Sequence, residues 1–210
     1  MTATNIRALK NRHAGATIYV IASGASLDHV DRKFFDDKLT IAVNEAHRDW
    51  PCSYMLAHHG ECCQEAIDKG LTVITSDYHC GITAWGRNVF NGDYYAYHHV
   101  EQPHVTGIDL SPLDTEDALV MSSCTTAEAI HFAAHLGASS IVLCGVDGGM
   151  LDDRWNYHGY NNGAGTNPMH VRLTQLLVMA VVNALRARGV NVYSLNPFVD
   201  FGLEGHVYAR

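Results

Sequence analysis

The sequence predicts an α/β fold: one Rossmann-like domain with a mostly parallel sheet and helices on both faces. Three observations carry that expectation. Short apolar runs rich in β-branched residues recur along the chain, as in Ile18-Tyr19-Val20-Ile21, Leu39-Thr40-Ile41-Ala42-Val43 and Ile141-Val142-Leu143-Cys144, and such runs suit buried strands. Helical patterns separate them, and strand–helix alternation favours parallel pairing. Several runs empty into small or polar residues, at the carboxyl end of a strand, where open α/β sheets hold their ligands.

In chain order, a polar N-terminal arm precedes the strand Thr17 to Ser23, which opens into Gly24-Ala25-Ser26. A glycine there can adopt backbone angles closed to other residues, and small neighbours let amide N–H groups approach an anion at a helix start. A helix or turn over Asp28 to Asp37 leads to a strand over Leu39 to Val43, ending at Asn44-Glu45. Ser53 to Ala57 forms the next strand and ends at His58-His59-Gly60. The helix Glu61 to Lys69 then stops at Gly70, before a strand over Leu71 to Thr75.

Residues 76–121 break the alternation. They are rich in Tyr, His, Gly and Asp, contain Pro103 and Pro112, and show no sustained period, so they read as a loop-rich lid or covering insertion with one or two irregular strands. Regularity returns at Thr125, whose spacing to Glu128 is that of a capping box. Ala129, Ile130, Ala133 and Leu136 follow at helical spacing up to Gly137. Ser140 to Val146 is the strongest strand and delivers Asp147-Gly148-Gly149. The last helix starts at Asn167-Pro168, an N-cap with proline at the first helical position, carries Leu173, Leu176, Leu177, Ala180, Val181 and Ala184 on one stripe, and closes at Gly189. Val190 to Leu195 is the final strand.

Composition narrows the function classes. With 210 residues and 47% hydrophobic content, the chain can bury one sizeable core. The formal charge of −8, without a basic run, argues against an extended nucleic-acid surface. No apolar segment reaches the roughly 20 residues of a membrane span, and the first 15 residues lack a signal-peptide core, so the expected compartment is the cytoplasm. The six cysteines form no Cys-x-x-Cys pair, which fits reduced thiols. Fourteen histidines are unusual; the clusters His58-His59, His79-Cys80 and His98-His99 lack ligand spacing with an acidic partner, so polar loop histidines around a cleft, rather than a metal, are expected.

Four loops meet at the carboxyl edge of such a sheet: Gly24-Ala25-Ser26, Asn44-Glu45, Ser122-Ser123-Cys124 with Thr125, and Asp147-Gly148-Gly149. Together they suit a nucleotide. Backbone N–H groups and hydroxyls of Gly24, Ala25, Ser26, Ser122, Ser123 and Thr125 serve phosphate, Asn44 a base or ribose, and Asp147 a sugar hydroxyl. Helix capping by the serines and threonine is the plainer alternative. Trp155-Asn156-Tyr157-His158-Gly159-Tyr160 and His170 supply groups for transfer chemistry: a phenol can donate to a departing phosphate, and a histidine in the first turn of its helix stays neutral enough to act as a base.

These pieces resemble a family. Ala22-Ser23-Gly24-Ala25-Ser26-Leu27, Val43-Asn44, Ser122-Ser123, the run Leu136 to Asp147, and Tyr193-Ser194-Leu195-Asn196-Pro197 occur in the same order in bacterial sialyltransferases that use CMP-activated sialic acid, and in the related motility-accessory and 6-hydroxymethylpterin diphosphokinase-like proteins. The resemblance implies a glycosyltransferase-A-like variant of the Rossmann fold. The glycine loop and Asn44 would hold a cytidine nucleotide, the serine pair would lie near the donor phosphate, His170 would be the base with His158 as competitor, and Tyr157 and Tyr160 would stabilise the leaving phosphate. Ala25 and Cys124 depart from the family's proline and third small residue, marking a divergent member.

The implied function is transfer of a sugar, sialic-acid-like or other, from a nucleotide donor, a CMP-sugar above all, to a small-molecule or glycan hydroxyl, with no metal or other cofactor. The alternatives are a Mg²⁺-dependent diphosphokinase acting on a pterin-like substrate with ATP, using Asp147, Asp152 and Asp153, and a nucleotide-binding module without catalysis. Homo-oligomerisation is left open.

Overall fold

The structure is a computed structural model and describes residues 3–77, 90–98, 109–120, 124–160 and 168–195, with side chains of the last group from 173 onward. Eight strands form one sheet among these residues: β1 (Ala3–Asn5), β2 (Thr17–Ile21), β3 (Leu39–Val43), β4 (Tyr54–Leu56), β5 (Thr72–Ser76), β6 (Tyr94–Tyr97), β7 (Ser140–Cys144) and β8 (Asn191–Ser194). Their spatial order is β1-β6-β5-β4-β3-β2-β7-β8. Every neighbouring pair is parallel. Three α-helices serve as crossovers: α1 (Gly60–Asp68), α2 (Thr125–His135) and α3 (Pro168–Ala187).

The period of two along each strand divides the core between the two faces. Ile18, Val20 and Ala22, with Ile41, Val43, Ile141 and Leu143, pack beneath α2 and α3 through Ile130, Phe132, Val178 and Val181. The alternate residues Ile21, Ala42, Val142 and Cys144 meet Leu27, Phe35 and Trp50 on the opposite face. There the Phe35 and Trp50 rings lie edge to face at 5.6 Å. Met55 and Val73 pack under α1 on Cys62, Cys63 and Ala66. Helices therefore cover both faces, as the alternation predicts.

Local details differ from the sequence reading, each for a physical reason. The N-terminal arm is part of the sheet: β1 pairs with β6, and Ile6 and Leu9, three apart, are fully buried. The His135 ring lies 3.0 Å from the Ile6 carbonyl and fastens this segment to α2. Residues 28–37 contain no α-helix; two 3₁₀ turns, Ala25–His29 and Arg32–Phe35, are divided by extended Val30 and Asp31, and the Asp31 side chain caps the second. The capping box does not form, because Cys124 is the N-cap of α2 and Glu128 is buried against other partners. Within 76–121, β6 and the buried Leu119 and Val120 belong to the core; residues 78–89, 99–108 and 121 lie outside the described ones.

Candidate functional site

Strand order reverses between β2 and β7: from β2 the chain runs outward through β3, β4, β5 and β6, and β7 and β8 fill the other side. Such a switch point leaves a crevice at the carboxyl edge of the sheet. A cleft of about 160 Å³ opens there. Its walls come from Ser23 and Gly24 after β2, Gly145 to Gly149 after β7, Trp155 and Asn156, Cys124 and Thr126 at the start of α2, and Thr174, Gln175 and Val178 of α3. That volume holds part of a ligand, since whole-ligand pockets run to about 300–1,000 Å³.

The first loop is closed from within. Asp147, itself buried, accepts the Ser26 N–H at 2.8 Å and the Ser26 hydroxyl at 2.5 Å. The sequence reading gave that amide to a ligand's phosphate; the carboxylate of Asp147 takes it first. Gly24 has an ordinary φ of −64°, so backbone freedom is not the reason for glycine. Space is: a Cβ at Gly24 would stand 2.5 Å from the Asp147 carboxyl carbon and from the Gly145 carbonyl. Gly145 and Gly148 have φ of +66° and +61° and let the chain pass Leu27 and Gln175, where a side chain would collide.

The wall of the cleft carries both signs of charge: the Asp147 carboxylate, and the N-terminal end of α2, where the helix dipole is positive. No lysine, arginine or histidine stands among its described lining residues. Cys124 at that end is buried and its thiol is pushed up to about 11, so it stays protonated and is no nucleophile at neutral pH.

The predicted site residues take distinct places. Gly24 and Asp147 line the cleft, Ser26 lies directly behind Asp147, and Ala25 is fully buried. Thr125 stands between the wall residues Cys124 and Thr126; Ser122 and Ser123 lie outside the described residues. Asn44 follows β3, one strand from β2 at the same edge but not in the wall. Its backbone is left-handed, φ +53°, a conformation asparagine tolerates better than most. Its carbonyl oxygen accepts from the His47 ring at 2.8 Å, and its buried side-chain oxygen has no hydrogen-bond partner among the described residues.

Tyr157, His158 and Tyr160 lie off the cleft, although Trp155 and Asn156 from the same segment line it. Gly24 and Asn156 form a bridge, and the Tyr157 N–H donates to the Ser23 carbonyl at 3.0 Å. The Tyr157 side chain turns to the far face, where its hydroxyl donates to Asp49 at 2.8 Å and its ring packs on Trp50 and Tyr160. Burial raises its pKa, and the bond to Asp49 raises it further. His158 is 77% exposed; its N–H donates to Asp28 and its ring meets Arg154 at 2.6 Å. Burial works to raise the Asp28 pKa, yet the His158 N–H and Arg154 hold it below the usual carboxylate range. His170 falls in α3, four residues before the wall residue Thr174; its side chain is outside the described ones.

The sequence reading passed over Thr126, Thr174 and Gln175, and it took Glu128 for a cap. Glu128, His131 and His135 are polar residues on a helix otherwise buried all round, a pattern that signals satisfied internal partners.

No protein-family model and no curated protein matches the sequence. Solved structures do match in fold. Over 94% of its length the chain resembles the MAf glycosyltransferase from Magnetospirillum magneticum AMB-1, with a TM-score of 0.59 at 16% identity, and it spans 34% of that longer protein. The sialyltransferase CstII from Campylobacter jejuni, in complex with CMP-3FNeuAc, gives a TM-score of 0.47 at 11% identity, over 92% of this chain and 90% of that one. CST-II with a trisaccharide acceptor and CMP gives 0.49 at 11%, over 91% and 89%. The chain thus has a glycosyltransferase-like α/β fold, and the resemblance read from its sequence is met at the level of that fold. Among the described residues no helix is long and apolar enough to cross a membrane.

Proposed function

We propose that the protein is a cytoplasmic glycosyltransferase that moves a sugar from a nucleotide-activated donor, a CMP-sugar above all, to a hydroxyl acceptor without a metal. The observation that carries this reading is the cleft at the switch point, whose wall joins the Asp147 carboxylate to the start of α2. Ribose or sugar hydroxyls suit Asp147, with Asn156 and Gln175 as further hydrogen-bonding side chains. Phosphate suits the start of α2, where the helix dipole is positive.

In the transfer step the acceptor oxygen bonds to the anomeric carbon as the carbon–oxygen bond to the donor phosphate breaks. The electron pair leaves with the nucleotide, and the acceptor's proton passes to a histidine. His170 is that base in this reading, since α3 forms a wall of the cleft, whereas His158 is engaged with Asp28 and Arg154 outside it. Tyr157 and Tyr160, the phenols that the resemblance suggests for the leaving phosphate, pack on the opposite face, where the Tyr157 hydroxyl is held by Asp49, and take no part in this step. The diphosphokinase alternative draws less support: of its acidic residues, Asp152 faces His29 at 3.4 Å.

Separate incubations with CMP-sialic acid, other sugar nucleotides and ATP, with and without Mg²⁺, test the reading. Nucleotide should be released without Mg²⁺, and His170→Ala should slow release about 100-fold or more while binding persists. Binding without turnover would leave the non-catalytic module. If no sugar nucleotide is bound, or if only ATP is consumed and only with Mg²⁺, the transferase reading is lost.

A further inference from the structure

Outside the cleft wall, the buried carboxylate of Glu128 in the first turn of α2 is the most consequential group left unused. Cys124 and Thr126, both in the wall, precede it on the same turn. A carboxylate withdrawn from water must be compensated. Glu128 is wholly buried. The Tyr97 hydroxyl of β6 donates to one of its oxygens at 2.7 Å, and the His58 ring, just past β4, meets the same oxygen through Nε2. The second oxygen has no hydrogen-bond partner among the described residues. Among the described residues, the titratable groups meeting Glu128 are His58 just past β4, Tyr97 from β6 and Cys124 at the cap of its own helix, and of these His58 is the one that can bring positive charge.

We propose that His58 and Glu128 are positioning residues of the cleft: while His58 is protonated the pair fixes the first turn of α2, and with it Cys124 and Thr126, in the ligand-binding arrangement. Loss of the His58 proton leaves a buried carboxylate without its counter-charge, and the turn loosens. Burial by itself would lower the His58 pKa, but the charge of Glu128 and the hydrogen bond to it hold it above the ordinary 6.5. The pair is therefore intact below pH 6.5 and is lost as pH rises through the elevated value. The choice of CMP as probe rests on the proposed function; the positioning role itself does not.

The test uses the whole chain at pH 6 and pH 9. CMP affinity by calorimetry should fall about tenfold between them, a typical coupling. Amide exchange over residues 125–128, corrected for its intrinsic pH dependence, should rise by a comparable factor. Glu128→Gln, which needs no counter-charge, should flatten both profiles to within about twofold, and His58→Gln should hold the high-pH behaviour at both values. If exchange in the unaltered chain is the same at both pH values, or if Glu128→Gln keeps its pH dependence, the proposal is overturned. Should CMP bind at neither pH, the nucleotide reading falls, and the exchange comparison still decides the role of the pair.

Discussion

Replacing Gly24 by alanine tests the closed first loop most directly. The added methyl would stand 2.5 Å from the Asp147 carboxyl carbon, from one of its oxygens and from the Gly145 carbonyl, about 1 Å inside ordinary van der Waals contact. The backbone carbonyl cannot swing aside without straining the 2.8 Å bond it accepts from the Gly24 N–H, and moving Asp147 loosens its two bonds to Ser26. Overpacking costs about 1–3 kcal/mol, and weakening a buried hydrogen bond to a charged group adds about 1.5–3 kcal/mol. A total of about 2.5–6 kcal/mol follows, which for a chain of this size lowers the melting temperature by about 5–24 °C. Gly149→Ala is the control: it lies in the same cleft, its φ is not positive, and a Cβ there meets nothing within 4 Å. Thermal unfolding followed by circular dichroism reads both variants. If Gly24→Ala melts within about 2 °C of the unaltered protein, less than 1 kcal/mol, the close approach of Asp147 is not what selects glycine.

Further outcomes follow from other contacts. Burial drives the His131 pKa down to about 3, with His135 and Arg188 adding to it, and the neutral Nδ1 accepts the buried Val120 N–H at 2.9 Å. The folded value lies below the unfolded 6.5, so acid favours unfolding: this contribution is complete above pH 6.5 and is lost as pH falls towards 3. By pH 5 it amounts to about 2 kcal/mol; urea unfolding at pH 7 and pH 5 should show it, and His131→Gln should remove that part of the slope. Tyr157→Phe deletes the hydrogen bond to Asp49 and should cost about 1 kcal/mol in the same assay. Because Tyr157 faces away from the cleft, the variant should bind nucleotide with unchanged affinity.

Strand and helix positions were legible because they depend on near neighbours in the chain. The runs at Ile18, Leu39 and Ile141, and the stripe from Leu173 to Ala184, each state their own periodicity. Gly70, Gly137 and Gly189 end their helices with φ of +75°, +89° and +83°, as helix-terminating glycines do. Short, irregular elements were not legible. β1 exists because it pairs with β6, whose residues lie some 90 positions away, and β6 in turn pairs with β5.

The candidate site divides along the same line. The amino-acid sequence by itself determined an alternating α/β chain whose small and polar residues fall at strand ends, and so it located Gly24, Asn44 and Asp147 at one edge of the sheet. Only the tertiary structure decided what those residues do to one another. Asp147 fills the amide that an anion was expected to take, Tyr157 faces Asp49 across the sheet from the cleft, and Glu128 leaves its capping position for His58 and Tyr97. The physical reason is that backbone periodicity is written locally, whereas the partner of a buried polar group is fixed by which distant segment packs against it once water is excluded.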